Sequence, residues 1–495
     1  MSNKEDKSIP IPNEDCPTDY DDGTIPPQYK NVVEDPEDND GEVKGLKDEE
    51  KSDPFMTTIS IVKNILGSGI LNFPVIIRTL GIIPGIVVIF LLGVVAFLTS
   101  DYLLQCKTIT RKYGYSMYGK MTMGKYGTIF LKVSLIISNF GTCCFYLKIL
   151  GELIASILNI FIDLSGGEFY TTPVFFMIVS FLLLLPLIYF DGIQSLNKAN
   201  FLGVVSIIIF FFSIVILFIY KLIHHEMKAV FNSELLFPHG TFFEMFACYT
   251  AIIDSYTYKH NYFPIYLSSK PRNNKTMNKA TAIAVAFCCI FFCLVGLLCF
   301  LMFGYNFKDI ISALNTEILL YLNKNNYIVT LIVIVEASYV ISSLLTLPLL
   351  FFSVKKNIIN LIIFIYTKMF EKKKDETLQG TELEDKTKEE ALTQSTHHTK
   401  TAEEVFHPFI KHLIVTLSYI MLLVCTLFVE SIINISNAMG STTSNLVMII
   451  FPSFFLVKLD LSNRWHIVPR MLCVIGLLTI GYYIYSETYK MIYHI

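Results

Sequence analysis

Polar residues dominate the first 54 positions and a stretch at 354–408, and elsewhere apolar runs alternate with short polar connections. Each run holds about 20 mostly apolar residues, the length that spans the hydrocarbon of a bilayer as a helix. Eleven membrane helices are predicted, at 56–77, 82–106, 129–161, 172–190, 198–222, 239–267, 279–304, 326–353, 409–432, 437–458 and 468–492. The third is long for one crossing, which implies tilt or extension beyond the membrane. The layout has four parts: an acidic cytosolic tail at 1–54, helices one to eight at 55–353, a cytosolic linker at 354–408 and helices nine to eleven at 409–495. The tail and the middle of the linker bury too little apolar surface to order themselves and are expected to be disordered.

Two of the helices are poor material for an unbroken rod. The first carries Asn64-Ile65-Leu66-Gly67-Ser68-Gly69-Ile70-Leu71-Asn72-Phe73-Pro74, where two glycines and a proline weaken the helix. Irregular backbone at membrane depth survives only where it is buried in protein or lines a cavity. A glycine- and proline-broken membrane helix therefore points to the binding site of a secondary transporter. The sixth helix carries the matching interruption, Ile252-Ile253-Asp254-Ser255-Tyr256-Thr257-Tyr258-Lys259-His260-Asn261-Tyr262-Phe263-Pro264. Helices one and six are five apart, as in two inverted five-helix repeats that each begin with a broken helix. The predicted fold is thus all-α and integral to the membrane, with eleven helices, a five-plus-five inverted repeat and one extra helix.

Composition agrees with a membrane protein. The chain is 53% hydrophobic with a mean hydropathy of +0.53, too apolar to give a soluble globule a polar exterior. Its acidic start gives no sign of a removable leader. Basic residues fill the 107–128, 268–280 and 459–470 connections, while 162–171 has none. The positive-inside rule then places the N-terminus in the cytosol. An odd helix count puts the C-terminus outside the cell or in an organelle lumen. Of eleven cysteines, ten lie in or at the ends of apolar runs; they read as small apolar residues, with no exterior disulfide expected. No zinc-type spacing appears, the mixed charge of the linker reads as a solvated face rather than a nucleic-acid site, and no cofactor is expected.

The breaks supply the candidate chemistry. A half-helix N-terminus offers bare N–H groups to a carboxylate, and facing carbonyl ends suit an ammonium or a metal cation. A zwitterionic amino acid presents both groups. Gly67, Ser68, Gly69, Ile70, Ser255, Tyr256 and Tyr258 are the substrate-binding candidates. Lys63, Asn64, Asp254, Glu336, Ser342, Ser343 and Thr346 are the candidates for coupling to H⁺ or Na⁺. An ionisable residue within the membrane normally faces a cavity or a partner, which singles out Asp254 and Glu336 as proton carriers. The blander alternatives are that Lys63 and Lys259 snorkel to the cytosolic surface, that the hydroxyls of helix eight bond the preceding turn, and that Lys148 pairs with Glu152. In the tenth helix, Ser436-Asn437-Ala438-Met439-Gly440-Ser441-Thr442-Thr443-Ser444-Asn445 reads as close packing or as site lining.

Four motifs in order make the chain resemble the amino acid/auxin permease family, which includes sodium-coupled neutral amino acid transporters and fungal vacuolar amino acid transporters. They are Gly67-Ser68-Gly69-Ile70-Leu71 with Pro74; His260-Asn261-Tyr262-Phe263-Pro264-Ile265-Tyr266; Thr346-Leu347-Pro348 with Lys355-Lys356; and Gly440-Ser441-Thr442-Thr443 with Phe451-Pro452 and Lys458. The resemblance covers roughly 55–353 and 408–490. It implies a leucine-transporter-like fold, a site between helices one and six, and coupling to Na⁺ or H⁺. Sodium-coupled members tend to place asparagine four residues before the first glycine; this chain has Lys63 there, which looks more like the fungal vacuolar members. A fixed ammonium repels Na⁺ and can replace its charge.

The expected function is amino acid transport by alternating access, coupled to H⁺, across the plasma membrane or a vacuolar or lysosomal membrane. Na⁺ coupling, and a non-transporting sensor whose tail meets cytosolic partners, are the alternatives. An enzyme is not expected, because no acid/base or metal set converges on facing helices.

Overall fold

The computed structural model describes residues 52–67, 69–161, 172–189, 196–228, 233–322, 325–379, 408–429, 432–460 and 466–493. The tail up to Lys51, Ser68, Cys16 and the linker from 380 to 407 lie outside the described residues.

The first membrane segment is broken where its sequence is weakest. Helix α1 (Pro54–Ile65) gives way to a 3-10 turn (Gly69–Asn72) and then to α2 (Phe73–Leu80), with a 49° bend between the halves. Pro74 lies in the first turn of α2, where its missing N–H has no partner to lose. Helix α3 (Ile82–Thr110) follows Gly81, whose φ of +79° suits glycine. Helix α4 (Tyr115–Phe161) starts well before the expected 129 and is kinked at Gly124, with φ +67°. The excess length of the third span is therefore a bent extension.

Helices α5 (Pro173–Ile188) and α6 (Leu196–Ile223) lead to the second broken segment: α7 (Phe242–Ser255), a 3-10 turn (Lys259–Asn261) and α8 (Tyr262–Ser268). A capping box fixes the start of α7, with Thr241 and Glu244 satisfying each other's free N–H groups. Helix α9 (Asn274–Phe303) is followed by α10 (Ile310–Tyr321), an unanticipated short helix capped by Asp309. Helix α11 (Asn326–Gln379) overruns the expected end at 353. Lys355-Lys356 looks like a helix end, but Val354 and Ile363 are buried and Ile358 and Ile359 pack on the core beside Phe351. That helical spacing of apolar residues carries the helix into the segment assigned to the linker.

Helices α12 (Pro408–Leu427) and α13 (Ile432–Ser441) precede a third irregularity. One turn (Thr443–Asn445) and a π-type turn (Leu446–Ile450) connect α13 to α14 (Phe451–Leu459), with a 45° bend. Helix α15 (Ile467–Tyr493) closes the described chain and is mostly peripheral. Among the described residues, seven helices are long and apolar enough to cross a membrane alone, and nine spans result if each bent pair counts as one. The only β feature among them is an isolated bridge between Ser52 and Ser269.

Burial separates two cores. The larger joins α1, α2, α3 and α7–α9. The smaller joins the middle of α4 to α5, α11 and α12, with Tyr419 stacked on Phe181 at 4.1 Å. Large apolar side chains such as Phe90, Leu182, Phe212 and Leu478 face outward, as the lipid-facing side of a membrane helix does. All ten described cysteines are free, and seven are buried.

One charged cluster locks α10 down. Lys221 Nζ, on α6, donates to Glu317 Oε2 at 2.5 Å, and Lys228 Nζ donates to Oε1 at 2.6 Å. Lys221 and Glu317 are each 1% exposed, Lys228 43%. Removing one member of a buried pair costs about 3–5 kcal/mol. Glu317→Gln is therefore expected to lower the thermal unfolding midpoint of the purified protein clearly, and Lys228→Gln to lower it little. Equal shifts would count against the buried pair as the anchor.

Candidate substrate and ion site

The two main breaks face each other. A side chain at Gly69 would place its Cβ 1.9 Å from Ser255 Oγ and 3.0 Å from Ser255 Cα, so α1 and α7 touch nearly backbone to backbone. A Cβ at Gly67 would lie 2.6 Å from the Tyr146 hydroxyl of α4. The freed Gly67 carbonyl accepts a bond from Tyr339 of α11 at 2.9 Å. Glycine is required here because only a missing side chain permits such approach. On the N-terminal side of the first break, Asn261 Nδ2 donates to Asn64 Oδ1 at 2.6 Å, tying the two broken segments together. Further toward that end, Ser52 N donates to Ser268 O and Lys270 N to Ser52 O, at 2.7 and 2.9 Å.

The predicted coupling residues divide into three groups. Lys63 does not snorkel: it is 4% exposed, and its Nζ donates to Ser342 Oγ of α11 at 2.8 Å while packing on Gly203 of α6. Thr346 Oγ1 donates to Ser342 O at 2.6 Å, the local bond expected of a helical hydroxyl, whereas Ser343 Oγ is buried with no hydrogen-bond partner. Asp254 sits in a hydroxyl network: Ser444 Oγ donates to its Oδ1 at 2.7 Å, Ser436 lies beside it, and Asn72 Nδ2 donates to Ser436 Oγ at 2.9 Å. That network joins the first, sixth and tenth spans. Glu336 lies apart, with Ser156 Oγ of α4 at 2.7 and 2.8 Å from its two oxygens.

The substrate candidates are not all brought together. Ser255 Oγ donates back to Ala251 O at 2.8 Å, and the Ile70 side chain packs in the core. Tyr256 and Tyr258 turn away from the α1 break: Tyr256 bonds Ile89 O and Cys289 Sγ, and Tyr258 lies 2.7 Å from Ser100 Oγ of α3. Their phenols brace α3 and α9. Ser68 lies outside the described residues. Lys259 is fully buried, donating to Ala96 O at 2.9 Å over the ring of Tyr258, which corrects its expected exit to the surface. Lys148 and Glu152 do pair, at 3.6 Å.

Sequence reasoning missed Tyr146 and left the tenth span open between close packing and site lining. Tyr146 is buried, its hydroxyl has no hydrogen-bond partner and it points at the Gly67 break; as one of 27 tyrosines it carries no distinguishing signal. A Cβ on Gly440 would meet Thr250 O at 1.8 Å, and Thr250 Oγ1 donates to Asn437 Oδ1 at 2.6 Å. The small-residue run of the tenth span therefore packs on α7 and also delivers Ser444 to Asp254.

Two solved transporter structures share the fold. The chain is similar to MHP1, a nucleobase-cation-symport-1 family transporter in a closed conformation with bromovinylhydantoin bound, with a TM-score of 0.53 at 11% identity over 89% of this chain and 93% of that one. It is similar to MhsT in complex with L-phenylalanine, with a TM-score of 0.52 at 10% identity over 88% and 100%. At these identities the likeness is one of fold, the leucine-transporter fold. The family described as transmembrane amino acid transporter protein matches residues 50–490, and the chain belongs to it. Relatives include amino acid transporter AVT6D of Arabidopsis thaliana, 24% identical over 64% of this chain and 72% of that protein. Vacuolar amino acid transporter 2 of Saccharomyces cerevisiae is 24% identical over 58% of each. Sodium-coupled neutral amino acid transporter 7 of Mus musculus is 24% identical over 49% and 53%.

The contact of the breaks is testable by one methyl group. Gly69→Ala is expected to cut transport about 100-fold, the scale of a misplacement near 1 Å at a working site, with the protein still in its membrane. Adding Ser255→Gly removes the side-chain atoms at 1.9 and 2.3 Å and is expected to restore part of the loss. Near-normal transport by Gly69→Ala alone contradicts the contact.

Proposed function

We propose that the protein moves amino acids across a membrane by alternating access, driven by H⁺. The observation that carries the choice of ion is Lys63. Its buried amine lies 2.8 Å from Ser342 Oγ, between the first and eighth spans, and in its protonated form places a positive charge beside the hydroxyls of the eighth span. Two unit charges 4 Å apart repel by about 4 kcal/mol at an effective dielectric of 20, a large handicap for a second cation. Asp254 is the proton carrier nearest the breaks in this reading, because its hydroxyl partners can donate to its ionised form and accept from its neutral form. The facing half-helix ends bind the substrate's carboxylate and ammonium.

In the same reading α5 and the broken α7–α8 segment are membrane spans, which brings the count to eleven, with a cytosolic N-terminus and two inverted repeats. The word vacuolar in the names of two yeast relatives favours a vacuolar or lysosomal membrane over the plasma membrane. The Na⁺-coupled alternative draws support from one feature, the unpartnered hydroxyl of Ser343, an oxygen free to ligate a cation.

Reconstituted vesicles separate the two. Uptake of labelled amino acids is expected to follow an imposed pH gradient and to survive replacement of Na⁺ by a bulky organic cation. Asp254→Asn is expected to flatten the pH dependence, and Lys63→Met to lower uptake about tenfold or more. Collapse of uptake without Na⁺ favours the sodium reading, and wild-type pH dependence in Asp254→Asn removes Asp254 as the carrier.

A further inference from the structure

A cavity of about 460 Å³ lies between the last turns of α4, the start of α5 and α10. Glu152, Ser156, Asn159, Lys308, Asp309 and Asn315 are among its lining residues. It sits at the end of α9 opposite Lys270 and Arg272, so it belongs to the side away from the basic connection and apart from the facing breaks. It is open at its edge: Leu319 there is 76% exposed, and Glu152 keeps 22% of its side chain accessible. Glu336 does not line it, but Ser156 does, and Ser156 touches Glu336.

The proton count around Ser156 is informative. Its Oγ lies 2.7 and 2.8 Å from the two oxygens of Glu336 and 2.5 Å from Asn315 Oδ1. A serine hydroxyl has one proton to donate and two lone pairs to accept with, and here it meets three oxygens. The count closes in two ways. With a neutral Glu336, the carboxylic acid donates to Ser156 and Ser156 donates to Asn315 Oδ1. With an ionised Glu336, Ser156 donates to the carboxylate and the Asn315 amide turns over to donate its N–H to Ser156. Both arrangements are complete, and they differ by one proton on Glu336.

We propose that this cavity is the proton entrance from the non-cytosolic side, with Ser156 as the relay between cavity water and Glu336. This rests on the proton-coupled reading above. In the transfer, the Ser156 O–H bond breaks as its proton passes to a Glu336 oxygen, and hydronium in the cavity re-forms that O–H bond, leaving water. Glu336 gains one proton and the aqueous phase loses one. The charged groups around the route are Glu152 paired with Lys148 on α4, and Lys308 with Asp309 at the start of α10, where Asp309 also caps the helix. Glu317 of α10 is held by Lys221 of α6 and by Lys228, and Lys63 of α1 is bonded to Ser342. Helix α5 carries no charged side chain, and α12 carries Lys411 and His412 only in its first turn.

The test compares two activities of the full chain in vesicles: uptake driven by a pH gradient, which needs the proton step, and counterflow of labelled against unlabelled amino acid at equal pH, which does not. Ser156→Ala is expected to slow gradient-driven uptake about 100-fold or more, the range for loss of a proton-transfer group, and to leave counterflow within about twofold. Ser156→Thr, which keeps the hydroxyl, is expected to restore the gradient-driven rate. Asn159→Cys, modified after folding by a charged thiol reagent from the cavity side, is expected to reproduce the selective loss, with the wild-type protein unaffected by the same reagent. Equal loss of both activities in Ser156→Ala, or no loss in Ser156→Ala and in modified Asn159→Cys while the wild type still follows the pH gradient, overturns the entrance alone. Wild-type uptake that ignores the pH gradient overturns the proton-coupled reading and the entrance with it.

Discussion

The structure is organised around one constraint: a helix broken inside hydrocarbon must find partners for the backbone groups it frees. An unsatisfied N–H or C=O there costs several kcal/mol, so a break is affordable only against other protein. Tyr339 meets that demand for the Gly67 carbonyl, and at the second break the Tyr256 and Thr257 N–H groups bond back to carbonyls of the last turn of α7. The Gly69–Ser255 approach packs the two breaks against each other. The half-helix ends that result converge on one region with backbone groups unclaimed by a helix, which is the chemistry a zwitterion needs.

The connections around the breaks are mostly single hydrogen bonds between different helices. Lys63 reaches Ser342, Asn64 reaches Asn261, Asn72 reaches Ser436, Thr250 reaches Asn437, and Ser444 reaches Asp254. A neutral bond of this kind has a net worth of about 0.5–1.5 kcal/mol, and one to a charged group about 1.5–3 kcal/mol, small enough to exchange for another during a conformational change. The buried Lys221–Glu317 pair on the outer short helix is of a different order, and breaking it leaves a buried charge exposed to no solvent. The molecule therefore combines exchangeable contacts at its centre with a firm anchor at one end, a distribution of strength that suits the alternating access proposed above.

Much of this was legible in the sequence, and the failures have physical causes. Glycine and proline within an apolar run mark a break because they act on the backbone directly, and the break at 66–72 falls where they stand, whereas the break at 256–261 holds neither and is marked by its run of polar residues ahead of Pro264. Side-chain direction is another matter. Tyr256 and Tyr258 lie in the right segment, but their phenols point to α3 and α9 because an irregular stretch has no fixed period from which to read a face. Lys63 could have been a surface lysine on composition alone; its burial depends on Gly203, 140 positions later in α6, leaving room for the ammonium. The end of the eighth span was misplaced because two lysines weigh more in a hydropathy pattern than the four apolar residues that carry the helix past them.

The two intramembrane acids show why position within the bundle matters more than residue type. Asp254 is surrounded by hydroxyls from the tenth span, and it stands on the broken helix itself, one residue before its end. Glu336 stands on the unbroken α11 and faces α4, with one serine between it and a water-sized opening. In the proton-coupled reading, a proton arriving at Glu336 alters the pairing of α11 with α4, and a proton at Asp254 alters the pairing of the broken α7 with the tenth span. Lys63 lies on a third line of contact, between the broken α1 and the same α11. In the proton-coupled reading α11 is therefore the element on which entry, fixed charge and hinge are jointly registered, and its unbroken helical course from the cavity end past Ser342 is what makes it suitable for that part.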